Sequence, residues 1–532
     1  MRFPLATLAL VVPLAACVLE EPLDEQPVLG EEVAGEPLEQ AGFCPELSVS
    51  PLALVSDGQL RQLGACGDLL TAGEYERTLY TVEGEVEALA GGAEHQLSPR
   101  GRLLSSNDTE TVQLRVLASD TPPRSIPIVD NLRYREGFVL SKHGLGAQFW
   151  NCDEGALTLR DHIDEAADLV LATEVDCATV VSSPMHSVLA FATLDDEVAW
   201  ADSDEQLVTM VDSVAFERVD SNDFGDRKDL LELSTTGPYL IHVQVGVTDN
   251  DGYPDPLPQQ RALHDMAFDR ALVENGGVSL NWAQAPVFGA PMYVYSGGLS
   301  VVRDGELVTL STTTFGTFVA ARDGSVIARD EDGSIVRYAN VDSSEREVLL
   351  PAVDAVQAGM WVSPEGRAGA LLIETSDCFD AECTTFIRAL RQFGANGQGE
   401  SRWVGLPQVV HVFEDGQVLV HGQRDGEADT SLHLIGTDGA TRSSQATEPG
   451  LSAGSSVAVA DGRLLLALVD QELADELVVV DPAAGDFAPA GVEVPADFDV
   501  AWMRVDALGK RVAVRMAGAY GLGGGTIWGE LP

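Results

Sequence analysis

From about residue 44 onward this chain alternates short apolar runs with Asp-Gly pairs. Runs rich in Leu and β-branched residues are punctuated by Asp57-Gly58, Asp304-Gly305, Asp323-Gly324, Asp332-Gly333, Asp415-Gly416, Asp438-Gly439 and Asp461-Gly462, and helical periodicity is almost absent. An Asp-Gly pair adopts the positive φ angles of a tight hairpin turn at little steric cost, so each one predicts a hairpin and the whole predicts an all-β fold. Only the segments Asp161 to Ala172 and Leu263 to Asn275 have a helical look, and both read as insertions or as strands in disguise.

The spacing narrows the fold further. Equivalent positions fall near Gly101, Gly137, Pro184, Gly237, Gly324, Gly366, Gly416, Gly462 and Gly509, mostly about 40 to 50 residues apart, the length of one four-stranded propeller blade. Trp150, Trp200, Trp282, Trp361, Trp403 and Trp502 follow roughly the same beat, which suits an apolar plug between adjacent blades. About 490 residues at about 45 per unit makes nearly eleven units, more than one ring normally holds. The expectation is therefore one ring of seven or eight blades carrying insertions, with two smaller rings as the alternative.

Ser363-Pro-Glu-Gly-Arg367, preceded by Trp361 and followed by Ala-Gly-Ala-Leu-Leu, resembles the S-P-D-G-[KR] repeat of TolB-like propellers. Ser98-Pro-Arg-Gly-Arg102 is a second copy and Ala460-Asp-Gly-Arg-Leu464 a third, with Glu365 and Arg100 standing where the repeat usually has Asp. The motif marks a turn between strands and carries no catalysis. Between about 105 and 300 it is eroded. The resemblance implies a partner-binding propeller, though no counterpart of TolB's separate N-terminal domain is visible.

The first residues bear on location. Arg2 is followed by an apolar run from Phe3 to Val12 and then by Leu14-Ala-Ala-Cys17, which reads as a secretion signal and resembles the lipoprotein signal-peptidase box. That resemblance implies removal of residues 1–16 and lipidation of Cys17, with more than one acyl chain giving a stable anchor. Val18 in place of Asp, by resemblance to the enterobacterial sorting rule, implies the outer membrane, on its periplasmic or surface face. No later stretch is long and apolar enough to span a bilayer. Residues 17–43 carry many acids and several prolines and lack aromatic side chains before Phe43, so they read as an extended tether ahead of a propeller over 44–532.

A formal charge of −52 from 84 acidic and 32 basic residues excludes nucleic acid as a partner, because a polyanion would be repelled. Lys142, Lys228 and Lys510 are the only lysines. A GC-rich genome and a saline habitat both produce such a balance, and neither points to a chemistry.

Cys44, Cys66, Cys152, Cys177, Cys378 and Cys383 remain after lipidation, an even number that implies disulfides in an exported chain. Nearest-neighbour pairing is the simplest of the possible connectivities, with Cys378 and Cys383 clamping a short hairpin. No Cys-x-x-Cys pair supports a metal cluster.

Candidate chemistry is sparse. Gly450-Leu-Ser452-Ala-Gly454 matches the nucleophile elbow, but a polar stretch precedes it, a strand-like run follows it, and all histidines lie upstream. His411, His421 and His433 fall in one repeat and are a candidate metal set. The best metal signal is Thr248 to Asp255, TDNDGYPD, which resembles the calcium loop of thrombospondin type 3 repeats and implies Asp249, Asp251 and Asp255 as Ca2+ ligands. Asp220-Ser-Asn-Asp-Phe-Gly-Asp226 is a companion loop. Three functions follow from these readings. The first is a non-catalytic envelope scaffold for a protein or glycan partner; the second is a lyase or hydrolase with its site in the central channel; the third is calcium-dependent surface adhesion.

Overall fold

A computed structural model describes the chain from Pro51 to Pro532, apart from connections of which the longest are 128–134, 141–146, 161–168, 211–226, 247–259, 285–291, 312–317 and 339–345. For several strands between 135 and 295 it describes backbone and few side chains. Cys17, the tether, Cys44, Asp249, Asp251, Asp255 and the companion loop lie outside the described residues.

Every ladder between strands is antiparallel, and the strands form nine sheets of four and one of seven. The seven-stranded sheet is two four-stranded units sharing Glu400–Val412, a strand whose early residues pair backwards, Ile387↔Val404, and whose later residues pair forwards, Val412↔Val418. In chain order the units cover 59–89, 94–127, 135–172, 175–210, 227–276, 281–311, 318–350, 357–412, 400–446, 452–489 and 498–530; they are called units 1 to 11 below. The strand Ala53–Ser56, which precedes unit 1, pairs with Gly524–Glu530 and supplies the fourth strand of unit 11. The two ends of the described residues are thereby stitched together, and the first strand of unit 1 packs on unit 11. The molecule is an all-β propeller of four-stranded blades.

The side-chain pattern explains why the units stack. Middle strands such as Leu464–Val469 and Glu476–Asp481 are buried on both faces, whereas the outermost strand Thr441–Ala446 alternates half-buried with exposed residues. Among the described residues each apolar cluster is shared by two neighbouring units, successive in the chain except where unit 11 meets unit 1. Leu371 and Phe393 of unit 8 pack with Ile327 and Ile335 of unit 7, while Leu419 and Leu432 of unit 9 pack with Leu466 and Val478 of unit 10. The core is therefore a series of layers between sheets, and no single sheet could bury its own faces.

Three sequence expectations need correction, and one open reading is decided. The units outnumber the seven or eight blades expected, because the stretch from 105 to 300, where the turn motif is eroded, is itself built of four-stranded sheets. The two helix-like segments take the strand reading: Leu263 to Asn275 falls in a strand pair, Gln260–Asp265 against Arg270–Gly276, and the described end of the other is the strand Leu169–Ala172. Gly137 lies inside a strand opposite Trp150, where a Cβ would come within 2.8 Å of the indole. The tryptophans do not occupy one repeated position: Trp361, Trp403 and Trp502 lie on first strands or the shared strand, Trp150 on a second strand and Trp200 on a third.

Candidate functional site

Ser363–Arg367, Asp415-Gly416 and Asp461-Gly462 close a first strand onto a second, and Asp332-Gly333 and Asp438-Gly439 close later pairs in the same way, whereas Gly58 links two strands of different sheets and the hairpin expected at Asp57-Gly58 is not formed. In unit 8 the Ser363 N–H donates to the Ala368 carbonyl at 2.9 Å, the Gly366 N–H returns to the Ser363 carbonyl at 2.9 Å, and Gly366 has φ +69. The same loop recurs at 506–511, and one residue shorter at 413–417 and 459–463, with Gly509, Gly416 and Gly462 at positive φ. These turns carry charged latches to neighbouring units. Glu414 of unit 9 accepts the Ser363 hydroxyl at 2.8 Å and the Glu365 N–H at 2.7 Å, and burial holds its carboxyl above the usual range against those two bonds. Arg102 of unit 2 grips Asp68 of unit 1 with two bonds of 2.8 Å and also bonds Glu83, while Asp68 accepts the Val82 N–H. Burial works against the Arg102 charge, but the bonds to Glu83 and Asp68 outweigh it and hold the guanidinium firmly protonated. Asp506, 3 % exposed, accepts the Lys510 N–H at 2.8 Å, and burial pushes its carboxyl up to about 6.

The sequence candidates fare unevenly. Ser452 begins a strand, not a helix, and its hydroxyl donates to the Val469 carbonyl at 3.3 Å, so the nucleophile-elbow context is absent. His411 and His421 do flank the Asp415-Gly416 turn. Cross-strand partners share a face and neighbours alternate, so His421, opposite Leu432, and His433, opposite Val420, lie on opposite faces of the sheet. The histidine set therefore does not converge, and no group of three or more metal-capable side chains occurs among the described residues. His433 is fully buried against Trp403, with ring centroids 5.2 Å apart, and its Nε2 lies 3.6 Å from Glu427. Burial lowers its pKa, as it does that of His421.

The cysteines pair as nearest neighbours where both are described. Cys152 bonds Cys177 and Cys378 bonds Cys383, and Cys66 is also disulfide-bonded. Its expected partner, Cys44, is outside the described residues.

The Cys378–Cys383 bridge marks the most distinctive surface. The strand Ala368–Cys378 is paired by the first strand of unit 8 only as far as Ile373, and the following strand, Phe386–Gly394, is paired by its outer neighbour only from Ile387. The hairpin tip from 375 to 386 thus extends beyond the sheet. Inside it, Asp380 accepts the Thr384 N–H at 2.8 Å, the Thr384 hydroxyl at 2.7 Å and the Thr385 N–H at 2.8 Å, which hold its carboxyl below the usual range. The Phe379 N–H donates to the Thr385 carbonyl at 2.7 Å. This stiffened tip displays Phe379 and Phe386, 50 % and 43 % exposed, and Leu406, 70 % exposed, lies two residues past the last rung at the same end of the sheet. Cys-x4-Cys announces the clamp in the sequence; nothing in the sequence announces the exposure of the aromatic rings.

No family model matches the chain, and no curated protein matches it. Solved structures do. The WD40 domain of SCAP from fission yeast is 9 % identical with a TM-score of 0.32, covering 74 % of this chain and 96 % of that one. An oligogalacturonate lyase in complex with manganese is 11 % identical with a TM-score of 0.30, covering 58 % and 98 %. TolB from Acinetobacter baumannii is 11 % identical with a TM-score of 0.24, covering 57 % and 80 %.

Proposed function

We propose that this chain is a lipid-anchored cell-envelope protein whose propeller is a non-catalytic scaffold for a protein or glycan partner. The anchor rests on the Leu14-Ala-Ala-Cys17 box, and no described helix is long and apolar enough to cross a membrane. The observation that carries the binding role is the unit 8 hairpin. A rigid tip that holds aromatic side chains in water pre-organises a contact, since little entropy remains to be lost when a partner covers it.

Two experiments test the two halves. Cys17→Ala is expected to move the protein from the membrane fraction to the soluble fraction, and retention in the membrane would sink the anchor. A photo-crosslinker placed at Leu406 in cells is expected to give one defined adduct that disappears in the double variant Phe379→Ser, Phe386→Ser. An adduct pattern indifferent to those two changes would remove the hairpin from the binding role.

Calcium is a separate proposal, carried by the sequence Thr248 to Asp255 alone. Asp249, Asp251 and Asp255 would hold the ion and support surface adhesion. Calorimetry with calcium should give heat in the wild type that is absent from Asp251→Asn; no heat in the wild type would end this reading.

A further inference from the structure

The closure of the propeller, where unit 11 meets unit 1, holds an arrangement that the scaffold reading does not use. Trp502 lies on the first strand of unit 11, directly opposite Arg515 on the second, and Arg504 is two residues further along the Trp502 strand on the same face. Both guanidinium groups sit by one indole: the Arg504 carbon is 4.7 Å from the ring centroid and the Arg515 carbon 5.8 Å. Arg504 is exposed and Trp502 and Arg515 are half-buried, so the group reaches solvent.

In a chain with 84 acidic residues, an arginine finds a carboxylate easily. Arg102, Arg388, Arg391, Arg402 and Arg463 all do. Among the described residues neither Arg504 nor Arg515 has an ion-pair partner, and the hydrogen bond of Arg515 goes to a neutral group, Gln59 Oε1, at 2.9 Å. The Arg515 Nε is shut away from water with no hydrogen-bond partner at all. Such a donor costs stability and two like charges on one ring repel, whereas a cation over an exposed ring returns only a little. Packing alone is therefore a poor reason for the cluster. A Cβ on Gly524 would lie 2.3 Å from Gln59 Cγ, so the Gln59 side chain that meets Arg515 packs against a backbone position without one.

We propose that Trp502, Arg504 and Arg515 form a binding site for a small carboxylate whose flat or apolar body lies on the indole. The guanidinium forks supply paired N–H donors matched to a carboxylate, and the ring supplies a platform that binds the CH face of a sugar or an aromatic ring. The long-range repulsion of a −52 chain does not prevent this, because at physiological ionic strength charges beyond about 8 Å are largely screened while the two arginines would be in contact with the ligand. This site stands on its own residues and would exist whether or not the unit 8 hairpin binds a partner.

Calorimetry on the full chain decides the matter, with glucuronate and benzoate as probes and glucose and benzyl alcohol as their neutral counterparts. At least one carboxylate is expected to bind while its neutral counterpart does not. Binding of glucuronate alone identifies an acidic sugar as the ligand class, and binding of benzoate alone an aromatic acid. Arg504→Gln, at an exposed position, is expected to weaken binding by about tenfold or more with an unchanged unfolding midpoint, as loss of a charge-assisted pair requires. Arg515→Gln should do the same, and Trp502→Phe, which keeps a ring, should weaken it less. No heat from either carboxylate, equal heat from charged and neutral probes, or wild-type affinity in Arg504→Gln would each overturn the site.

Discussion

At the end of the sheets where first strands turn into second strands, charge is turned inward and tied to the neighbouring unit. Arg102 reaches 34 residues back to Asp68, and Glu414 reaches 51 and 49 residues back to Ser363 and Glu365. At the opposite end, the unit 8 hairpin ties its charges locally: Asp380 bonds residues four and five positions away, and Arg388 bonds Glu374 across the same hairpin. One end locks units to each other, and the other stiffens a single loop and leaves its aromatic side chains in water. The difference separates the stabilising role of charge from the surface available to a partner. It also gives a test, because the two ends should respond to substitution on different scales.

The largest effect is expected at Arg102. Its side chain and that of Asp68 are 6 % and 2 % exposed, so Arg102→Ala leaves a buried carboxylate without its partner and should cost about 3 to 5 kcal/mol in urea denaturation. Arg402, paired with Asp377 at the hairpin end with both side chains about half exposed, should lose only a small fraction of that on the same change, because solvent screens the pair. Equal losses would erase the distinction between the two ends.

Disulfides extend the comparison. Cys152–Cys177 spans 25 residues and Cys378–Cys383 spans 5. Loop-closure entropy assigns the first about 3.5 kcal/mol and the second about 2 kcal/mol. Cys152→Ser with Cys177→Ser should therefore lower the unfolding midpoint more than the Cys378, Cys383 double serine variant. The short bridge should instead show its importance in proteolysis, with cleavage of the freed tip between 379 and 386 while the propeller stays folded.

Much of this was legible in the sequence, for reasons that differ by residue. Asp332-Gly333, Asp415-Gly416, Asp438-Gly439 and Asp461-Gly462 became tight turns because a glycine at positive φ is a local requirement that needs no knowledge of the rest of the chain. Cys378 and Cys383 were readable for the same reason. The number of units was obscured because residues 105–300 form their strands without that punctuation, and strand identity there rests on pairing with distant segments. The histidines misled because sequence spacing places His421 and His433 in one repeat, while register decides which face each takes. Trp502 and Arg515 are 13 residues apart in sequence, and only the strand ladder shows that they face one another.

Acidity sets the next scale. The Asp506 carboxyl is raised by burial to about 6 from 3.8, so the folded protein keeps a proton there that the unfolded chain releases. Its contribution is full below about pH 4 and is lost as pH rises through about 6, an effect of up to about 3 kcal/mol. Buried His421 and His433, with lowered pKa values, act in the other direction: their contribution is full above about pH 6.5 and falls as pH drops below it. Asp506→Asn should remove the first slope, raising stability at pH 7 relative to the wild type and leaving the acid-side loss in place. Urea titrations from about pH 4 to pH 8 would show this, and an unchanged profile would mean that Asp506 is not proton-linked to folding.

The smallest effect is expected at Glu414, and it bears on whether the turn-end latches act one by one. Glu414 joins units 8 and 9, which already share the strand Glu400–Val412 and an apolar layer around Leu372, Trp403 and Val420. Its two hydrogen bonds cap a turn that its own backbone already closes through Ser363 and Ala368. Glu414→Gln retains an acceptor for the Glu365 N–H and removes a carboxyl that burial disfavours as a charge, so its cost should be near zero and Glu414→Ala should cost about 1 kcal/mol. A loss at Glu414→Ala as large as that at Arg102→Ala would show that the carboxylate itself, and not the shared strand, holds units 8 and 9 together.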